Sequence, residues 1–234
     1  MRNFKATTGP FKNRPYYTQD EIEQTCLDEL GAVELLPSDP TAIRIDRFIE
    51  KKFGISHRYE VLPINILGFS LFGSKGVEVI VVAQSLEEES TDSSRRRINT
   101  TLAHEAGHAL FQGHLFSLGK KPRSLFGNDE TDEPKILCRE GGDRDLGHGA
   151  YDGKWWEYQA NQAIGALLLP KPLVGRALDE ILTVTGSFGA KILDPSKRAQ
   201  AINTLSEVFD VNPAAAKMRL DTLYPLSISC QLTL

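Results

Sequence analysis

The chain is poor in cysteine, in methionine and in long apolar runs, and it has no excess of positive charge. Its three cysteines, Cys26, Cys138 and Cys230, lie far apart with no C-x-x-C pair. An odd number of scattered thiols makes a poor disulfide framework, so they read as the reduced cysteines of a cytosolic protein. No stretch approaches the roughly 20 apolar residues of a membrane-spanning helix, and the opening Met1-Arg-Asn-Phe-Lys has no apolar secretion core. The expectation is therefore a cytoplasmic protein with no membrane partner. Lysine and arginine number 27 against 31 aspartates and glutamates, for a net charge of -4. Without a basic surplus, a general role in neutralising nucleic-acid or membrane phosphates is disfavoured.

What is present is an ordinary globular composition, 41% hydrophobic and 25% charged over 234 residues, long enough to bury a core. Residues 1–17 carry Arg2, Lys5, Lys12 and Arg14 with little periodicity and read as a flexible basic arm. Thr18 is a suitable N-cap for a helix with Asp20 and Glu21 in its first turn and an apolar stripe through Ile22, Cys26, Leu27 and Leu30, ending at Gly31. A second helix is predicted from Asp39-Pro40 to Gly54. The pattern then changes to β-branched runs at 58–62, 66–72 and 77–83, with Gly73-Ser-Lys-Gly76 as a turn, which predicts a small antiparallel sheet. A polar loop at 87–92 leads to a long helix capped by Ser93 or Ser94, whose Arg95-Arg96-Arg97 reads as a solvated first turn.

Inside that helix lies His104-Glu105-Ala106-Gly107-His108. Two histidines four apart stand one turn above each other, about 6 Å along the axis, so both imidazoles reach one small cation. Glu105, displaced by one position, can act on a water without occupying a coordination place. This is the H-E-x-x-H pattern of zinc hydrolases, two ligands and one general base. A catalytic zinc needs a third protein ligand. His114 falls at the spacing of a longer H-E-x-x-H-x-x-G-x-x-H pattern, but Phe111 stands where that pattern requires glycine, and neither methionine, Met1 or Met218, supplies its Met-turn. Glu157 is the better candidate. It opens a buried helix running to Pro170, and Asn161, one turn later on the same face, can hydrogen-bond a ligand histidine from behind.

Taken together, His104-Glu-Ala-Gly-His108, the Glu157-x-x-Ala160-Asn161 element and the closing Leu168-Leu169-Pro170 resemble the ImmA/IrrE family of zinc metallopeptidases. The resemblance spans about residues 42–224. It implies an α+β, zincin-like core of small sheet, H-E-x-x-H helix and Glu-bearing helix, followed by a helix-turn-helix-like segment. With the residue pattern outside that span, the chain divides into an arm at 1–17, a zinc metallopeptidase domain at 18–170 with a long loop insertion at 113–150, a C-terminal helical segment at 171–225 and a tail at 226–234. It implies His104, His108 and Glu157 as ligands of one zinc, or of manganese, with Glu105 as the catalytic acid/base. It further implies a bacterial or phage-related origin and, as substrate, a helix-turn-helix repressor whose cleavage relieves repression. Tyr151, Tyr158 and His148 are the nearby side chains that could stabilise an oxyanion. The edge of the strand at 77–83 could hold a peptide by strand addition.

Two other function classes remain. One is a DNA-binding regulator using helices at 196–209 and 213–223, whose second helix offers Lys217 and Arg219; Glu207, Asp210 and Asp221 nearby make a poor phosphate footprint. The other is a protein-binding sensor that holds a metal without proteolysis, which the retained Glu105 disfavours.

Overall fold

A computed structural model describes residues 2–5, 13–117, 135–139, 155–185 and 189–226. It is a mixed α/β fold in which helices outnumber strands. Within the segment read as a flexible arm, β1 (Arg2–Lys5) and β2 (Asn13–Tyr16) pair as an antiparallel hairpin. Helix α1 (Gln19–Ala32) starts as expected, with Thr18 and Glu21 forming a capping box. Helix α2 (Ile45–Phe53) begins later than the Asp39-Pro40 signal suggested and ends at Gly54, whose φ of 70° is the left-handed stop that glycine accepts. An Arg44–Asp46 ion pair sits at its start instead of a capping side chain.

Strands β3 (Arg58–Glu60), β4 (Ile66–Gly73) and β5 (Gly76–Ala83) match the β-branched runs, and Gly73 pairs with Gly76 across a two-residue turn. The sheet is mixed, however, not purely antiparallel: β3 runs parallel to β5. Strand β6 (Lys135–Arg139) joins β4, giving the order β3-β5-β4-β6. β3 covers β5 only at Val81, Val82 and Ala83, so the edge expected at 77–83 is closed in that part and, among the described residues, has no strand beside it from Val77 to Ile80. The polar loop expected at 87–92 overlaps a short helix, α3 (Gln84–Glu89), and α4 (Asp92–Phe111) is capped by Thr91 through a capping box with Ser94, not by Ser93 or Ser94 itself. Arg95 and Arg96 are not simply solvated: both pair with Asp210.

After α5 (Gly113–Ser117) come α6 (Trp155–Leu168) and α7 (Lys171–Ala177). A small hairpin of β7 (Thr183–Thr185) and β8 (Ala190–Ile192), absent from the sequence reading, leads to a 3-10 turn and α8 (Arg198–Phe209) and α9 (Pro213–Leu223). The tail at 226–234, beyond Leu226, lies outside the described residues. No helix among the described residues is long and apolar enough to cross a membrane.

The core joins all these layers. Ile22, Cys26 and Leu30 of α1, Phe48 and Ile49 of α2, Ile80 and Val82 of β5, Leu102 and Ala106 of α4, and Ala163 and Leu167 of α6 are buried in one cluster. Burial of each large aliphatic side chain contributes about 1.5–3 kcal/mol. Among the described helices α4 and α6 pack most extensively, and their seam is made of small residues. A Cβ added at Gly107 would stand 2.9 Å from the Ala163 Cβ and 3.1 Å from the Ala160 Cα. Only glycine at 107 permits that approach, which brings the helix bearing Glu157 against the helix bearing the histidines.

Candidate metal centre

Helix α4 presents His104 and His108 one turn apart, and α6 presents Glu157 across the Gly107 seam. The Nε2 atoms of the two imidazoles are 2.9 Å apart, and Glu157 Oε2 lies 3.2 Å from His104 Nε2 and 3.5 Å from His108 Nε2. Four ligands about 2.05 Å from a tetrahedral zinc are separated by about 3.3 Å, so these three spacings suit one ion. They are the one group of three or more potential metal-ligating side chains among the described residues. His114 is not part of it; it stands exposed on α5.

The hydrogen bonds behind the imidazoles fix what their front atoms are. His104 Nδ1 faces the Asn161 side-chain oxygen at 3.1 Å and His108 Nδ1 faces the Gln112 side-chain oxygen at 3.0 Å. Both acceptors call for an N–H on Nδ1, which in the neutral imidazole leaves a lone pair on each Nε2. Two imidazole lone pairs and a carboxylate oxygen thus converge on one point. That set repels itself as bare acceptors and becomes favourable around a shared cation, so the residues fit a metal. Asn161 does what its i,i+4 relation to Glu157 suggested.

Glu105 is completely buried, and its Oε2 accepts a 2.5 Å hydrogen bond from the Ser70 hydroxyl on β4. Its Oε1 is buried without a partner among the described residues, as is Oε1 of Glu157. Burial pushes the Glu105 carboxyl up to about 7, against the pull of the His104 imidazole and the Ser70 hydrogen bond, while the Glu157 charge raises it further. Burial also acts to raise Glu157, but in the metal-free site the charged forms of the His108 and His104 imidazoles, donating from Nε2, outweigh it and hold that carboxyl below the usual carboxylate range; the same three atoms that share a proton there would share a cation. Two carboxyls in one site are thus pushed in opposite directions, which suits one to hold a proton and the other to hold charge.

Of the three oxyanion candidates, His148 and Tyr151 lie outside the described residues, and Tyr158 stands on α6 at 46% exposure. Arg219, one of the two cations offered for a DNA phosphate, is buried and ion-paired with Glu23 of α1, while its Nε donates to the Leu169 carbonyl. Lys217 is exposed.

Three functional side chains escaped the sequence reading: Ser70, Gln112 and Gln159. Ser70 could have been noticed as a polar residue within an apolar strand, and Gln112 as one turn beyond His108, whereas Gln159, among Glu157, Asn161 and Gln162, carries no such signal. No protein-family model matches the chain, and no curated protein is significantly similar to it.

Proposed function

We propose that this chain is a zinc-dependent metallopeptidase with His104, His108 and Glu157 as the ligands and Glu105 as the general acid/base. The observation that carries this reading is the convergence of His104 Nε2, His108 Nε2 and Glu157 Oε2, with a buried, proton-competent Glu105 one residue from the first ligand. A zinc ion bound there supplies an electrophile for a peptide carbonyl and lowers the pKa of a coordinated water to about 7. Manganese would suit the same nitrogen and oxygen donors.

The remaining work falls to the chain. Asn161 and Gln112 orient the imidazoles, and Ser70 occupies one oxygen of Glu105, leaving Oε1 to take a proton from water and to return it to the leaving amine. A carboxyl poised near neutrality does both, since it neither holds the proton too tightly nor refuses it. The order of the motifs, and its resemblance to the ImmA/IrrE peptidases, supports a helix-turn-helix repressor as substrate, with relief of repression as the outcome.

The test is metal content by mass spectrometry together with hydrolysis of a denatured-protein substrate. Parent protein should retain about one zinc per chain after a mild chelator wash. Glu105→Gln should keep that zinc and lose hydrolysis, whereas Glu157→Ala should lose zinc and His114→Ala should keep it. Retention of zinc by Glu157→Ala, or undiminished hydrolysis by Glu105→Gln, would overturn the assignment.

A further inference from the structure

Behind His108 runs a buried chain of hydrogen bonds that ends far from the metal centre in sequence. Gln112 accepts from His108 Nδ1 at 3.0 Å and donates its amide nitrogen to the Gln159 side-chain oxygen at 2.7 Å. Gln159 in turn donates to the backbone carbonyl of Pro15 at 2.8 Å. Gln112 is 0% exposed and Gln159 3%, so water does not compete readily for these groups. Pro15 itself is buried, in strand β2 of the N-terminal hairpin.

The direction of this chain is set at its far end. A carbonyl oxygen only accepts, so Gln159 must turn its amide nitrogen to Pro15 and its oxygen to Gln112. Gln112 must then turn its nitrogen to Gln159 and its oxygen to His108. The imidazole answers with a proton on Nδ1, and Nε2 is left as a lone pair directed at the metal centre. Each amide could face either way by itself; the three links together admit one arrangement.

We propose that Gln112 and Gln159 are positioning residues through which the N-terminal strand β2 governs the metal centre, the seated Pro15 carbonyl holding His108 in its metal-binding tautomer. This rests on the reading of His104, His108 and Glu157 as ligands. Lifting β2 releases Gln159, frees both amides to reverse and lowers the fraction of His108 ready to coordinate. By reciprocity, an ion on His108 strengthens the seating of β2. A partner that binds the N-terminal hairpin would thereby loosen or tighten the ion without touching its ligands.

The experiment uses the full chain and zinc alone, in competition with a chelating dye. Gln112→Met should weaken zinc binding by about 10–100-fold, the usual effect of losing a partner behind a ligand. Gln159→Met should weaken it by a smaller factor in the parent and add nothing in the Gln112→Met background, because the chain is already broken. Gln112→Glu, which keeps the acceptor, should retain affinity, an outcome that a purely space-filling role does not give. In the metal-free parent, imidazole nitrogen shifts should report the proton of His108 on Nδ1, and in Gln112→Met a mixture. Zinc should slow amide exchange at Arg14 and Tyr16 in the parent and not in Gln159→Met. Equal slowing in both, or additive losses in the double variant, overturns the proposal. A parent that binds no zinc sinks the ligand reading instead, which separates the two failures.

Discussion

Replacing Gly107 with alanine tests whether the helix seam sets the metal geometry. The added Cβ would lie 2.9 Å from the Ala163 Cβ, 3.1 Å from the Ala160 Cα and 3.2 Å from the Ala160 carbonyl oxygen. Carbon pairs rest at about 3.5–4.0 Å, so α4 and α6 must separate by roughly half an ångström. Overpacking of this kind costs about 1–3 kcal/mol, while alanine in place of glycine in a helix returns about 1 kcal/mol. The net loss of about 0–2 kcal/mol corresponds to a Tm lower by at most about 8 °C for a chain of this size. The metal centre should suffer more than the fold. Ligand distances tolerate about 0.2 Å, and Glu157 rides on the helix that is displaced, so zinc affinity should fall by about tenfold or more. Thermal melting of metal-free protein and zinc competition on the same samples measure the two effects. Pairing Gly107→Ala with Ala163→Gly removes the nearest obstacle and should recover part of the affinity. Unchanged zinc affinity in Gly107→Ala would refute the argument that this seam positions Glu157.

Two further outcomes follow from buried charge. In metal-free protein, Glu105 has a carboxyl raised from 4.5 to about 7, so its native state favours the protonated form. That contribution is fully present below the unfolded pKa and is lost as pH rises through about 7, where the carboxylate becomes a buried charge. Glu105→Gln should therefore stabilise the metal-free protein at pH 8 by on the order of 3 kcal/mol, seen as a higher Tm, and give no gain near pH 4. Equal stabilisation at both pH values would contradict it. At the Arg219–Glu23 pair, Arg219→Met alone leaves an unpaired buried carboxylate and should cost about 3–5 kcal/mol; Arg219→Met with Glu23→Leu should recover most of that, as seen in denaturant unfolding. A double variant as unstable as the single would show that the pair is held for more than charge compensation.

Legibility in the sequence followed the distance over which partners act. His104, Glu105 and His108 declare themselves because one helical turn contains the chemistry, and Glu157 with Asn161 repeats that spacing on a second helix. The β-branched runs identified β4 and β5, whose two-residue turn is local. Nothing local marks Ser70 as the partner of Glu105, 35 residues away, or joins Gln159 to Pro15, 144 residues away. The same limit hid the parallel pairing of β3 with β5, which no hairpin dictates. Basic residues around β1 and β2 read as a solvated arm because a four-residue strand offers no period to detect. Arg95 and Arg96 looked solvent-facing since their carboxylate, Asp210, lies more than 100 residues later.

Asp210 occupies a position where two demands meet. It ends α8 in the left-handed region, with φ of 50°, and its carboxylate accepts from both Arg95 and Arg96 at the start of α4. Glycine suits that backbone and abandons both arginines; glutamate keeps the charge and meets the steric penalty of a left-handed conformation; asparagine tolerates the conformation and keeps the acceptor oxygen without the charge. Among the twenty residues, aspartate alone answers both demands. Descendants of this chain are thus expected to drift freely through the exposed face of α8 while holding this one corner nearly constant, joining the end of α8 to the start of α4 by a constraint on inheritance that does not involve the metal.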